Sequence, residues 1–211
     1  MEATPRIELG MELLQSSALP LGYVARKLST DFTRWSPAAR PAVPGARSRR
    51  LAGVNATDDF REAMAAVPAG VAVVSARTAD GFRGLAASSF TSVSIAPPML
   101  LVCLDSLSQT RDAVVRQGEF NLSVLERSQE FLAERFAGRA PLVDPTWEEV
   151  PHTLGRNGLP VLRDCVAWFE CRVRDLHAAG DHEIAVGEVL ACGRGRGEPL
   201  VLWDRSFWRL E

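Results

Sequence analysis

A mainly β domain, a small barrel with a few short helices, is the fold class this sequence predicts, and three observations carry it. Short runs rich in β-branched and apolar residues recur from Val71 onward, six or more of them at strand length. Turn-forming dipeptides stand among them, at Asp80-Gly81, Pro97-Pro98, Asn157-Gly158 and Gly180-Asp181. Helical spacing within the same region is confined to a few brief stretches. Many short strands with few helices argue for a barrel.

The elements follow in chain order. Ile7, Met11 and Leu14 have helical spacing, so residues 7–14 predict a short amphipathic helix. Pro37, Pro41, Pro44 and Gly45 then punctuate an arginine-rich segment with little periodicity. Residues 1–56 therefore read as a flexible Arg/Pro-rich N-terminal extension, and residues 57–211 as the folded domain. Asp59 with Glu62 resembles a capping box, and Phe60, Ala63, Met64 and Val67 share one helical face that Pro68 ends. Residues 71–77 are a β-rich run, and Asp80-Gly81 turns the chain into an antiparallel partner beginning at Phe82. Pro97-Pro98 separates a strand at 91–95 from another at 99–104, because prolines suit a strand boundary and not its centre. Residues 110–116 predict a helix, 120–125 a strand, and 129–137 a second helix through Leu132 and Phe136. Between Gly138 and Pro160 alternation fades into a loop-rich excursion with turns at Asp144-Pro145 and Asn157-Gly158. Residues 166–176 and 183–190 predict an antiparallel pair joined through Gly180-Asp181, and 200–203 supply a last strand.

Composition bounds the function. A chain of 211 residues, 46% hydrophobic and 24% charged, is ordinary for a soluble globular protein with one packed domain and an appendage. The net charge of -2 hides an asymmetry: residues 1–56 hold eight Lys/Arg against four Asp/Glu, leaving sixteen against twenty-two for the rest. That acidic core is not a nucleic-acid binder by charge. No apolar run approaches the roughly 18–20 residues that span a bilayer, and no basic segment with an apolar signal core opens the chain, so no membrane partner and a cytoplasmic location are expected. Arg49-Arg50 lacks the apolar stretch of a twin-arginine signal, since Asn55, Asp58 and Asp59 stand there. Cys103, Cys165, Cys171 and Cys192 form no Cys-x-x-Cys pair and read as buried free thiols. His177 and His182 suggest a metal pair, but no third ligand is in view and no metal is expected. His152 reads as structural, and Trp168-Phe169 as core.

Two segments carry the chemistry. From Gly84 to Pro98 runs a series of small residues and hydroxyls on an extended chain. Such a run either packs closely on a neighbour or lets a planar, phosphate-bearing cofactor lie on exposed backbone amides. Gly180-Asp181-His182 sets a histidine at a tight turn, where it is solvated or reaches such a cofactor. Together the two point to a flavin site. No Gly-x-Gly-x-x-Gly follows a strand, which disfavours a Rossmann dehydrogenase.

Residues 59–210 resemble the flavin reductase domain of the small components of two-component flavin-dependent monooxygenases. Within it they are similar to the reductases that serve aromatic polyketide oxygenases of the actinorhodin type. The matching residues run in the family's order: Phe60-Arg61-Glu62-Ala63-Met64 with Val67-Pro68-Ala69-Gly70-Val71, Ser88-Ser89-Phe90 through Pro97-Pro98, residues 120–125, Phe136-Ala137, Gly158-Leu159-Pro160-Val161-Leu162, Glu170-Cys171, and Gly180-Asp181-His182 with Gly187-Glu188-Val189. The resemblance implies an FMN-binding split β-barrel, usually a homodimer with flavin near the subunit interface. It implies an NAD(P)H-dependent flavin reductase, in which NADH or NADPH gives hydride to FMN or FAD and the reduced flavin passes to a separate flavin-dependent oxygenase.

On that resemblance Leu85, Ala86, Ala87, Ser88, Ser89 and Phe90 approach the isoalloxazine and ribityl chain, largely through backbone groups. The loop of Ser106, Leu107, Ser108, Gln109 and Thr110 meets the phosphate, the competing reading of that loop being an ordinary Ser/Thr helix cap. Family members often carry threonine where Ala86 stands, so one flavin hydrogen bond is lost and a weakly held flavin is implied. His182 aligns the nicotinamide, and Asp181 shapes the turn or sets the imidazole tautomer. Two other readings stay open. A pyridoxamine-phosphate-oxidase-like flavoprotein needs a basic pocket for a second phosphate, with Arg83 and Arg111 as candidates. A flavin-binding electron carrier, or a partner-binding subunit, would hold flavin without turning it over.

Overall fold

Seven strands make the main sheet of the computed structural model, which describes residues 56–138, 146–208 and 210. The expected extension, its 7–14 helix and the Asp144-Pro145 turn lie outside the described residues. The sheet comprises β2 (Ala72–Thr78), β3 (Gly81–Ala87), β4 (Phe90–Ile95), β5 (Pro98–Asp105), β6 (Glu119–Val124), β9 (Ala167–Ala179) and β10 (His182–Arg194). Their spatial order is β3-β2-β6-β9-β10-β5-β4, with antiparallel neighbours throughout.

The two edge strands, β3 and β4, are consecutive in sequence and joined only by Ser88-Ser89. In a flat sheet, six gaps of about 4.8 Å would hold those edges roughly 29 Å apart. A two-residue link spans only about 10 Å. The sheet must therefore roll until its edges meet at Ser88-Ser89. β3 pairs with β2 and β4 with β5, and not with each other, so the barrel stays split.

Strand β2 shows why the rolled sheet has two cores. Ala72, Val74 and Ala76 bury into one cluster with Leu100, Val102, Leu104, Phe120 and Leu122. Val71 and Val73 bury into a second with Leu125, Phe136, Trp147, Leu162 and Leu200. Burial on both faces accounts for the unbroken apolar run where a half-exposed strand would alternate. Trp168 and Phe169 divide in the same way, Trp168 against the second cluster and Phe169 against the first.

Helix α1 (Ala56–Ala65) opens earlier than expected. Asp58 and Asp59 lie within its first turn, where carboxylates suit the helix dipole, so Asp59 does not cap it. Its expected apolar face is turned outward: Phe60, Met64 and the following Val67 stand at least half exposed. The helix is tied at its far end, where the Asp204 N–H donates to Ala65 O at 2.8 Å and Trp203 Nε1 to Ala66 O at 3.2 Å. Helix α2 (Gln109–Gln117) buries Ala113 and Val114 in the first core and ends at Gly118, whose φ of 70° places it in the left-handed region. A 3-10 turn (Arg127–Gln129) leads into α3 (Glu130–Phe136).

The segment expected as loop contains a hairpin, β7 (His152–Leu154) with β8 (Pro160–Leu162), turning through Asn157-Gly158. Alternation was too short there to read. Buried side chains reached from elsewhere hold it instead. Asn121 Nδ2 donates to Leu159 O at 3.1 Å, Asn157 Nδ2 donates to Asn121 Oδ1 at 2.8 Å, and Ser75 Oγ donates to Pro160 O at 2.7 Å. Asn121→Ala removes the bonds to Leu159 and Asn157, leaving that from Ser75, and is expected to cost about 2 kcal/mol from buried groups left unpaired. Thermal unfolding should report a Tm lower by about 4–8 °C. An unchanged Tm would mean that Asn121 does not hold the hairpin.

Strand β1 (Ala69–Gly70), β11 (Val201–Trp203) and an unexpected β12 (Ser206–Trp208) form a separate three-stranded sheet. Cys165 and Cys171 are buried, and burial pushes the Cys171 thiol up to about 12. Cys103 is half-buried. Cys192 departs from the buried-thiol expectation, because the end of β10 alternates at the surface and sets it outward.

Candidate active site

Register brings the two candidate segments together. Antiparallel pairing of β5 with β10 sets Asp105 opposite His182 and Leu104 opposite Glu183. Just beyond the last pair, the Ser106 N–H donates to Asp181 O at 3.0 Å. The 106–110 loop and the 180–182 turn thus form one corner of the barrel. The turn is a two-residue hairpin link, with Ala179 paired to His182 across it. Gly180, at φ 66°, takes the first turn position, where a type II′ hairpin needs glycine.

His182 Nδ1 lies 2.7 Å from Asp181 Oδ1. A carboxylate accepts, so the imidazole proton sits on Nδ1 in the neutral ring and Nε2 is left as an acceptor. The side chain is 43% exposed, open to a ligand. The hydrogen bond from His182, followed by the charge of that ring when protonated, holds the Asp181 carboxyl below the usual carboxylate range.

The 106–110 loop satisfies most of its own amides. Asp105 accepts from Leu107 N at 2.8 Å through Oδ1 and from Ser108 N at 3.0 Å through its carbonyl. Ser108 Oγ accepts from Thr110 N at 3.1 Å and caps α2. With Ser106 N engaged by Asp181, the Gln109 amide is the one in this loop that has no partner among the described residues. The helix-cap reading of Ser108 is therefore correct, and the loop's capacity for an anion is reduced to the Gln109 amide and the hydroxyls. Leu107, at 93% exposure, stands clear of the surface.

A cleft of about 360 Å³ opens beside this loop, lined among others by Arg83, Leu85, Ser108, Thr110, Phe136 and Thr146. Gly84 also lines it, and a Cβ there would fall 2.3 Å from the Phe136 ring, so only glycine lets that ring lie on β3. Arg83 crosses the cleft wall, donating from Nε to Gln109 Oε1 at 3.2 Å and pairing with Asp80 at 2.8 Å. Hydroxyls, a free amide and a guanidinium around a narrow cleft form a donor set that fits a phosphate-bearing cofactor.

Of the expected site residues, Leu85, Ser108 and Thr110 line this cleft. Ser106, Asp181 and His182 meet at the adjoining corner. Ser88 and Ser89 form the exposed link between the sheet edges, where Ser89 O accepts from Cys103 N at 2.9 Å. The side chains of Ala87 and Phe90 pack on the first core and that of Ala86 on the second, which leaves their backbone as the part available to a ligand. The sequence reading included Gln109 in the phosphate loop but did not single out Phe136 or Thr146, nor Arg83, for this cleft. Period-two alternation from Leu85 would have pointed to Arg83.

Other candidates fall away. His152 Nδ1 sits 2.7 Å from Val150 O, and its ring meets Trp147 and Phe82 edge-on, a packing role. Among the described residues no three His, Cys, Asp or Glu side chains cluster to hold a metal. Nor is any described helix long and apolar enough to cross a membrane. Wider clefts of about 730 and 810 Å³ surround Arg194, Gly195, Arg196 and Gly197 at the far end of β10, and contain none of the expected site residues.

Comparisons with known proteins agree with this geometry. The chain is 43% identical over 158 residues to a flavin reductase (NADH) of Kitasatospora aureofaciens, covering 72% of this chain and 81% of the relative. It is 42% identical over 150 residues to the actinorhodin polyketide dimerase of Streptomyces coelicolor, covering 70% and 83%. A relative from Rhizobium meliloti is 42% identical over 133 residues, 63% of this chain, and the chain spans only 42% of its length. Among solved structures, the NADH:FAD oxidoreductase SgcE6 of Streptomyces globisporus superposes with a TM-score of 0.68 at 34% identity, covering 74% of this chain and 93% of that one. BorF, the flavin reductase component of a bacterial two-component tryptophan halogenase, gives 0.67 at 34%, covering 73% and 98%. The model of the flavin reductase like domain matches residues 64–211, which takes in the cleft, the loop and the histidine turn alike, and the chain belongs to that family.

Proposed function

We propose that this protein oxidises NADH and reduces FMN or FAD, and that the reduced flavin leaves for a separate oxygenase. The observation that carries this reading is the Ser106–Asp181 backbone hydrogen bond of 3.0 Å, which joins a loop suited to phosphate to a turn bearing an accessible histidine. When bound, flavin would supply the acceptor for hydride from the reduced nicotinamide. The chain's own residues bind and align. Backbone groups of 85–90 would hold the flavin ring and ribityl chain, and the hydroxyls of Ser106, Ser108 and Thr110 with the Gln109 amide would hold its phosphate, next to Leu107. Nε2 of His182, an acceptor, receives the carboxamide N–H of the nicotinamide and orients the ring.

A loop with one unengaged amide, and alanine at position 86, give a modest hold on flavin, which suits release to a partner. The half-exposed apolar face of α1 supports assembly as a homodimer, and the expected location is the cytoplasm. A second-phosphate pocket is disfavoured because Arg111 is engaged by two carboxylates, Glu183 at 2.6 Å and Asp112 at 2.9 Å.

The test follows NADH absorbance in air with and without added FMN, FAD or riboflavin. Oxidation that depends on added flavin is expected. A yellow protein that leaves NADH untouched would instead be a flavin carrier. Truncation before Thr57 should leave that rate unchanged, and loss of soluble, active protein would mean that the extension packs on the barrel.

A further inference from the structure

Arg111 and Glu183 lie 72 positions apart, yet Arg111 Nε donates to Glu183 Oε2 at 2.6 Å. Their places are specific. Arg111 is in the first turn of α2, three residues after the capping Ser108, and Glu183 directly follows His182 on β10. Strand alternation sends the Glu183 side chain to the face opposite His182. The second arm of the guanidinium, Nη1, is held at 2.9 Å by Asp112 of the same helix. The side chains are only 28% and 14% exposed, so solvent and salt screen the pair less than a surface bridge.

We propose that this ion pair is a positioning clamp for the reaction. It fixes the first turn of α2, and with it the 106–110 loop, against the strand that carries His182. Neither side chain lines the cleft beside the loop. The proposal rests on the reading of His182 and the loop given above. Backbone pairing between β5 and β10 ends at Asp105 and His182, and past that point the Ser106–Asp181 bond holds only the start of the loop. The clamp holds its end. A guanidinium matched by two carboxylates has no charge left over for a phosphate, which separates this role from anion binding.

Steady-state kinetics with NADH and FMN test it on the full chain, using Glu183→Ala, Arg111→Ala, the double variant and Glu183→Gln. Each single alanine variant should lose turnover about tenfold, because a small misplacement of reacting partners is enough. The double variant should be no worse than the worse single one, since the pair acts as a unit. Glu183→Gln keeps an acceptor for the Arg111 Nε–H and should recover most of the turnover. Losses that multiply in the double variant would overturn the clamp, as would unchanged turnover with a lowered Tm, which marks a merely structural bridge. A higher KM for FMN in Arg111→Ala with a lower one in Glu183→Ala would make Arg111 a phosphate ligand and also overturn it. His182→Ala, run alongside, separates the two failures. Unchanged NADH kinetics in that variant sinks the reading of His182, whereas a strong effect there beside an inert Glu183→Ala sinks the clamp alone.

Discussion

His182→Ala is expected to lower kcat by about tenfold to a hundredfold and to raise the KM for NADH, with the KM for FMN within about twofold of the parent. The direction follows from the atoms. Nδ1 is engaged by Asp181 at 2.7 Å, so on the proposed reading the group lost to the nicotinamide is an accepting Nε2 on a ring whose tautomer is already set. The hydride is exchanged between two cofactors, and the histidine takes no proton from either. The loss is one of alignment, and it should appear as slower flavin reduction in a single turnover while flavin binding is preserved. His182→Asn, which can still present an acceptor, should recover part of the rate. If His182→Ala leaves both kcat and the KM for NADH unchanged, the assignment fails.

Gly84→Ala is expected to destabilise the fold by about 1–3 kcal/mol and to weaken flavin binding together with it. The added Cβ would lie 2.3 Å from two atoms of the Phe136 ring, and that ring has little room to yield. It is 2% exposed and packs on Trp147 with a centroid separation of 5.0 Å. The displaced ring would move the wall of the cleft, because Gly84 and Phe136 both line it. Thermal unfolding and an FMN titration of the same sample read both effects. Phe136→Leu in the Gly84→Ala background should restore part of the lost stability. A double variant less stable than either single one would show that the clash is not the cause.

How far the sequence reached depended on whether a feature is local. β2 was legible because both its faces are buried, so the 71–77 run stands out without a pattern. The turn at Gly180-Asp181 and the loop at 106–110 were legible from glycine and hydroxyl chemistry. That they adjoin was not, because their meeting depends on the register of β5 against β10, a pairing of segments nearly eighty positions apart. The same holds for Arg111 with Glu183, and for Asn121 reaching the β7–β8 hairpin. Each residue looks ordinary alone, and the partner is chosen by topology. The outward exposure of the α1 face was not legible for a related reason: helical spacing identifies an apolar stripe but not what covers it. The family resemblance reached further than any single motif, since it matched several weak signals in order.

The split between β3 and β4 has a consequence for how the protein can vary. Edge strands carry main-chain donors and acceptors that a closed barrel would have consumed, and ordinarily such edges invite other chains. Here the two edges meet at Ser88-Ser89, three residues along the chain from cleft-lining Leu85, and on the proposed reading a small molecule takes the place that an intruding strand would occupy. Recognition written in main-chain atoms does not change when side chains do. On the proposed reading, a change among small residues at positions 86–89 would adjust flavin affinity by degrees and leave the binding mode the same.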